Sequence, residues 1–233
     1  MRHLAAAFLL FTCGAAAAAA ATPTEISAEY RVTNSGVTIG RVTELFMRKG
    51  DSYTIHSVTR ADGVLKLILD DEITLESSGR VGASGLQPLE FGQRRAKDSS
   101  RDIKATFDWD KGIMHTQFKG ESSQVALPRD TQDRISVMYQ FMNLTRNGDI
   151  VVMPMSNGRK VELYTYRLVD EVRLTTPAGD FDTLHYERVI MSPKESKAQV
   201  WLAKDRFNFP VRVVFDDPKG LRLEQVLENL QHR

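Results

Sequence analysis

Four histidines lie beyond the N-terminal segment, His56, His115, His185 and His232, and they are the first residues to test for chemistry. A zinc centre needs ligands at spacings such as His-x-His or His-x-x-x-His, or cysteines to complete the set. Neither spacing occurs, and the sole cysteine is Cys13. Gly82-Ala83-Ser84-Gly85 begins like a nucleophile elbow, but Leu86 stands where Gly-x-Ser-x-Gly requires its last glycine. Asp108-x-Asp110-x-Gly112 opens like a calcium loop, yet no closing glutamate follows at the required distance, so a hairpin turn explains it better. The carboxylate groups Asp70-Asp71-Glu72 and Asp216-Asp217 could do acid–base work, but they sit where solvated strand ends are expected. No catalytic residue, metal ligand or cofactor follows from these patterns. The expectation is a protein that is not an enzyme.

The densest constellation runs from Trp201 to Arg212, through Asp205-Arg206 and Pro210. Its structural reading is a strand, a polar turn and a second strand, with Asp205 bonding backbone donors and Arg206 or Arg212 pairing with it across the hairpin. The functional reading makes Trp201, Asp205, Arg206 and Arg212 an aromatic–arginine corner for an anionic head group. The structural reading ranks first, because polar turn networks are common.

The elements that would position these residues begin after a leader. Met1–Ala21 carries Arg2, the apolar stretch Leu4–Phe11 and small-residue cleavage sites in Ala15–Ala21, the pattern of a secretory signal. A lipoprotein signal acylated at Cys13 fits less well, since Phe11 and Thr12 occupy positions that favour smaller residues. The expected location is therefore the periplasm. Removing the leader leaves 212 of the 233 residues, no cysteine, and 30 basic against 30 acidic side chains once Arg2 is lost. A neutral chain argues against nucleic acid as a partner, and no later apolar run is long enough for a transmembrane anchor. With no linker or repeat, residues 22–233 read as one domain that must stand on its own core.

From Glu25 onward the dominant period is two. Ile26, Ala28, Tyr30 and Val32 alternate with polar residues, and more than a dozen such stretches are separated by turn chemistry such as Asp217-Pro218-Lys219-Gly220. The expected fold is all-β with one main helix: a curved antiparallel meander, closed into a barrel or half-barrel and plugged by an α-helix. That helix is signalled by Ile135, Met138, Tyr139 and Met142 at i, i+3, i+4 and i+7, with Asp130 or Thr131 as cap and Asn147-Gly148 as end. It is placed across the concave face, with packing outside the sheet as the alternative. The dense run Val64–Leu69 reads as a buried strand or turn, or else as an apolar flap over a cavity mouth.

Several landmarks in order carry a resemblance. They are Tyr30 with Gly36 and Gly40, Gly85-Leu86-Gln87-Pro88, Phe107-Asp108, the helix after Gln132-Asp133, Pro177-Ala178-Gly179-Asp180-Phe181, and the Trp201–Arg212 hairpin. Together they resemble a family of exported bacterial proteins known as domain of unknown function number 3108, over about Glu25 to Leu227. The resemblance implies an all-β fold and an envelope location, and it carries over no catalytic residue. Pro210–Leu230, with its strand, turn, strand and late Asn229, is also similar at the level of fold to periplasmic lipoprotein carriers, in which a curved sheet wraps a helix and holds acyl chains.

These readings converge on a non-enzymatic periplasmic binding or carrier protein for an acyl chain or another hydrophobic envelope component. Val64, Leu67, Met138, Phe141 and Met142 are the expected lining, the methionines because an unbranched thioether adapts to variable ligands. An apolar cavity of at least roughly 300 Å³ beside the helix and the Val64–Leu69 run is expected of a carrier. The alternative is a structural or interaction module with a filled core. No protein partner is indicated.

Overall fold

The computed structural model describes residues 23–62, 72–144 and 149–233. Met1–Ala21 with Cys13, the proposed lining residues Val64 and Leu67, and the Asn147-Gly148 helix end lie outside the described residues. Fifteen strands follow in chain order: β1 (Glu25–Asn34), β2 (Val37–Lys49), β3 (Ser52–Ala61), β4 (Glu72–Gly82), β5 (Gly85–Arg95), β6 (Ile103–Asp108), β7 (Ile113–Phe118) and β8 (Glu121–Ala126). The short β9 (Gln132–Asp133) leads into α1 (Ser136–Gln140) and a 3-10 turn, Phe141–Asn143. Then come β10 (Ile150–Ser156), β11 (Val161–Thr176), β12 (Gly179–Arg188), β13 (Lys197–Ala203), β14 (Phe209–Asp216) and β15 (Arg222–His232).

All fifteen belong to one sheet, ordered β8-β7-β6-β5-β4-β3-β2-β1-β15-β14-β13-β12-β11-β10-β9. Every pairing is antiparallel except the two-residue contact of β9 with β10. Each hairpin joins neighbours, and β1 closes on β15, so the meander grows outward from the paired termini. The terminal strands β8 and β9 do not pair, so the sheet is curved but not closed.

Its curl shows where opposite ends meet. Thr116 on β7 donates its hydroxyl to the Gly158 carbonyl at 2.5 Å, and Ser156 Oγ lies 3.1 Å from Met114 Sδ. Gly158, in the β10–β11 turn, has φ +84°, and a Cβ there would stand 2.6 Å from Ile103 Cγ2 and 2.8 Å from Phe91 Cε1. Only glycine supplies both that backbone conformation and that approach.

The alternation read in the sequence is the alternation of burial. Ile26, Ala28, Tyr30 and Val32 all face the core, as do Tyr53 and Ile55 on β3 and Ile103, Ala105 and Phe107 on β6. Two expectations need correction. The stretches 160–169 and 171–176, which read as two separate strands in the sequence, form a single strand, β11, because a bulge between Leu168 and Asp170 resets the register without ending the ladder. The helix is also shorter than its periodicity suggests. Asp130 has φ +60°, the Thr131 hydroxyl bonds the Pro128 carbonyl, and Gln132-Asp133 is extended against β10, so neither Asp130 nor Thr131 caps the helix.

Candidate functional site

The segment from Gln132 to Asn143 lies inside the curl. Asp133 Oδ1 accepts the amide hydrogens of Ile135 (3.0 Å) and Ser136 (2.8 Å), which satisfies donors a helix start leaves open. Ser77 Oγ on β4 donates to Asp133 Oδ2 at 2.5 Å and lies 3.1 Å from the Tyr53 hydroxyl. Burial still pushes the Asp133 carboxyl above the usual carboxylate range against these bonds. Gln132 Nε2 donates to the Leu86 carbonyl, while Gln140 accepts the Leu86 amide at 2.8 Å and donates to the Ser84 carbonyl at 2.7 Å. The plug is thus stitched to the β4–β5 hairpin.

Tyr139 carries the contact to the next strands. Its ring stacks on Phe46 with centroids 5.0 Å apart and meets Phe209 edge-on at 5.9 Å. Its hydroxyl donates to Glu44 Oε2 at 3.1 Å, and Ser57 Oγ donates to Oε1 at 3.2 Å. Glu44 is buried, and desolvation pushes its carboxyl up to about 6 even though both hydroxyls favour the ionised form. Its sequence signal is parity: in Val42-Thr43-Glu44-Leu45-Phe46 the glutamate shares the inward phase of valine and phenylalanine.

The opposite wall meets the plug differently. Val137 and Phe141 join Met153, Tyr166, Leu184 and Leu202 in a second apolar cluster, with Phe141 and Tyr166 edge-on at 5.5 Å. Of the three lining residues on the plug, Phe141 is 1% exposed and belongs to this core, whereas Met138 and Met142 are only half-buried. Met138, Leu144, Met155 and Tyr164 are half-buried against this cluster, and Met142 packs against the first one.

Arg134 sits at the base of the plug and was not singled out by its sequence. Its Nη1 donates to Gln93 Oε1 on β5 at 2.8 Å. Burial, and then the like charge of Arg95, lower the Arg134 guanidinium below its usual value, while Tyr164 on β11 acts in the opposite sense. The residue is nevertheless exposed to solvent.

The polar corner divides in two. Arg206 pairs with the adjacent Asp205 at 2.9 Å, in the turn itself. Arg212 does not pair with Asp205 as the hairpin reading allowed. Its Nε lies 2.7 Å from Glu224 on β15, and its guanidinium covers Trp201 at 4.5 Å. Trp201 stacks in turn on His185, centroids 4.2 Å apart and nearly parallel, and His185 Nδ1 is 3.2 Å from Asp170. The physical reason is register: Arg212 faces Trp201 directly across the ladder, and Glu224 is within its reach on the next strand.

Three grooves are present elsewhere. One of about 520 Å³ contains His56, Glu76, Glu90 and Lys104, and one of about 400 Å³ contains Lys104, His115, Gln117 and Gln124. The third, about 300 Å³, lies between β8 and the β10–β11 turn. None is lined by Met138, Phe141 or Met142, so they are not the cavity expected beside the helix. Among the described residues, no group of three or more His, Cys, Asp or Glu could hold a metal ion, and no helix is long and apolar enough to cross a membrane.

A single curled antiparallel sheet around a short, polar-anchored helix defines a β-barrel-like protein. The chain belongs to the family described as protein of unknown function DUF3108, whose profile matches residues 29–226. No curated protein matches it. Among solved structures, it is similar to a β-barrel-like protein of the DUF1849 family from Brucella abortus, with a TM-score of 0.60 and 13% identity over 91% of this chain and 98% of that one. Weaker similarity extends to a candidate exported protein with a YmcC-like fold from Bacteroides fragilis (TM-score 0.34, 15% identity, 90% and 96% covered). A candidate outer membrane lipoprotein-sorting domain from Vibrio parahaemolyticus is more distant still (TM-score 0.27, 10% identity, 90% and 85% covered). The Brucella structure agrees with the fold; at these identities none of the three speaks to activity.

Proposed function

We propose that this is a non-enzymatic periplasmic binding protein whose concave face shelters a hydrophobic component of the cell envelope. The observation that carries this reading is the half-buried apolar surface where the plug meets β10–β11: Met138 together with Leu144, Met155 and Tyr164, while Met142 is half-buried against the first core cluster. On that side Val137 and Phe141 are as buried as Ile135 and Tyr139, so the opening is confined to Met138 and its half-buried neighbours. The histidine–carboxylate pairs give the enzyme reading little support. His56 and Glu76 are about half exposed, Glu76 is also held by Arg94, and His185 is closed under Trp201.

The test is to purify the protein gently from its native periplasm, extract it with organic solvent and identify what co-purifies by mass spectrometry. Thermal shifts with fatty acids and phospholipids should rise with ligand concentration. No co-purifying lipid and no shift across both classes would defeat the reading.

A second reading, an interaction module, is favoured by one specific observation. On the outer face of β10, next to the short edge strand β9, Ile150 and Val152 are 54% and 52% exposed, with Leu163 beside them on β11. Apolar groups near a sheet edge invite a partner. Sedimentation equilibrium that shows a monomer before and after mixing with envelope extract would remove it.

A further inference from the structure

We infer that the free edge of β8 is a strand-addition site for an extended, acidic segment of another protein. The edge is separate from the plug, and the inference does not depend on the hydrophobic-binding reading. The Leu127 amide donates to the Gly112 carbonyl at 2.9 Å, in line with the register that pairs Ile113 with Ala126 and Phe118 with Glu121. In an antiparallel ladder each residue points its N–H and C=O to one side, and the side alternates along the strand. Glu121, Ser123 and Val125 therefore bond to β7, while Ser122, Gln124 and Ala126 direct their backbone groups away from it. The turn agrees with that phase: Lys119 and Gly120 have φ +53° and +77°, the two positive values of a tight hairpin that joins Phe118 directly to Glu121. Among the described residues no strand lies beyond β8, and the backbone groups of Ser122, Gln124 and Ala126 have no other partner.

Water satisfies such groups at any sheet edge, so what singles out β8 is the lack of a blocking device and the presence of side-chain sites beside it. The other edge is blocked. The Asp149 carbonyl accepts the Leu168 amide, which turns Ile150, Val152 and Pro154 of β10 to the outside; Pro154 has no N–H to offer there, and β9 covers Met155 and Ser156. Along β8 there is no proline, lysine or bulge, and every residue except half-buried Val125 is exposed. Strand addition takes affinity from main-chain bonds and specificity from sites for alternate side chains. Both faces of the edge have one. The groove of about 400 Å³ lies beside Ser122 and Gln124, with His115, Gln117 and Lys104 in the same cross-strand rows. The groove of about 300 Å³ lies on the opposite face, between Glu121 and Ser123 and the β10–β11 turn, where the Arg159 guanidinium stands 4.0 Å from the centre of the Phe118 ring. Lys104 on one face and Arg159 and Lys160 on the other stand against one lining acid, Glu121, and Glu162 takes only Lys160. That balance selects an acidic strand.

The experiment follows amide shifts and hydrogen exchange by NMR on isotope-labelled protein exported from the full-length chain. The probes are a strand-length peptide of alternating valine and glutamate and its valine–lysine counterpart. The glutamate peptide should slow exchange at Ser122, Gln124 and Ala126 at least about tenfold and bind at least about tenfold more tightly than the lysine peptide. Gln124→Pro removes an outward donor without touching the β7 ladder, and it should weaken binding about tenfold. If circular dichroism melting shows that variant to be unfolded, Ala126→Pro, at another outward position, takes its place. Lys104→Gln with Arg159→Gln should bring the two peptides to nearly equal affinity. No binding of the glutamate peptide, binding that leaves the three amides unprotected, or binding indifferent to the proline variants overturns the inference. Equal affinity of the two peptides for the parent overturns its acidic specificity and with it the assignment. Protection of the same amides without peptide, lost on dilution together with a dimer in sedimentation, also overturns it and gives the edge to a second copy of this chain.

Discussion

Glu44 offers the sharpest quantitative test, because its carboxyl is buried and its two partners are neutral hydroxyls. Burial raises its pKa from the ordinary 4.5 to about 6. The folded value lies above the unfolded one, so the contribution of Glu44 to stability is complete below pH 4.5 and is lost as the pH rises through about 6. That difference corresponds to about 2 kcal/mol. Glu44→Gln removes the titration and keeps the geometry: Tyr139 still donates to the amide oxygen, and the new amide nitrogen donates to Ser57. Urea denaturation of parent and variant should give nearly equal free energies at about pH 4, and about 2 kcal/mol in favour of the variant at about pH 7.5. For a chain of this size that is about 4–8 °C in melting temperature. A difference between parent and variant that is the same at both pH values would refute the assignment of a buried, titrating Glu44.

Three further outcomes follow from the packing. Gly158→Ala should cost about 2–4 kcal/mol in chemical denaturation, since its methyl would press on Ile103 and Phe91 at a positive φ. Asp133→Asn should remain folded, because an amide oxygen can still take the Ile135 and Ser136 hydrogens, whereas Asp133→Ala should lose about 3 kcal/mol or more in thermal melts by orphaning both. Phe141→Asp should abolish the cooperative transition at a cost of roughly 3–5 kcal/mol, while Met138→Asp, at a half-buried position, should cost about 1–2 kcal/mol; equal losses would place Met138 in the closed core.

The strands were legible because their side chains alternate between core and solvent, and β1 shows that correspondence without exception at Ile26, Ala28, Tyr30 and Val32. The β11 bulge was not legible: Asp170 reads as a break between two strands, yet it stays in the ladder opposite His185. The helix was legible in type but not in length. Five α-helical residues are too few to hold themselves, and tertiary contacts keep Gln132-Asp133 extended and return Leu144 to an extended backbone. Glu44 could have been found as a charge in the inward phase of an alternating strand. Arg134 could not. Its partner Gln93 lies 41 residues before it, and only the fold brings the two together.

The plug is held asymmetrically, and that bears on what the concave face can do. Asp133 is fixed through Ser77 on β4, Gln132 and Gln140 through the β4–β5 hairpin, and Tyr139 through Glu44 on β2. Such bonds are directional, so they set the depth and rotation of a helix too short to be positioned by its own stability. Toward β10–β14, Val137, Met138 and Phe141 make apolar contacts, which are non-directional and tolerate changes of shape. An acyl tail entering beside Met138 and Tyr164 would displace some of those contacts without breaking one of the plug's hydrogen bonds. A tail forced in on the β2–β5 side would have to leave Glu44 or Asp133 unpaired in an apolar interior, at a cost of several kcal/mol. The polar half of the plug thus fixes the frame, and under the proposed binding function a guest would enter on the apolar side, beside half-buried Met138.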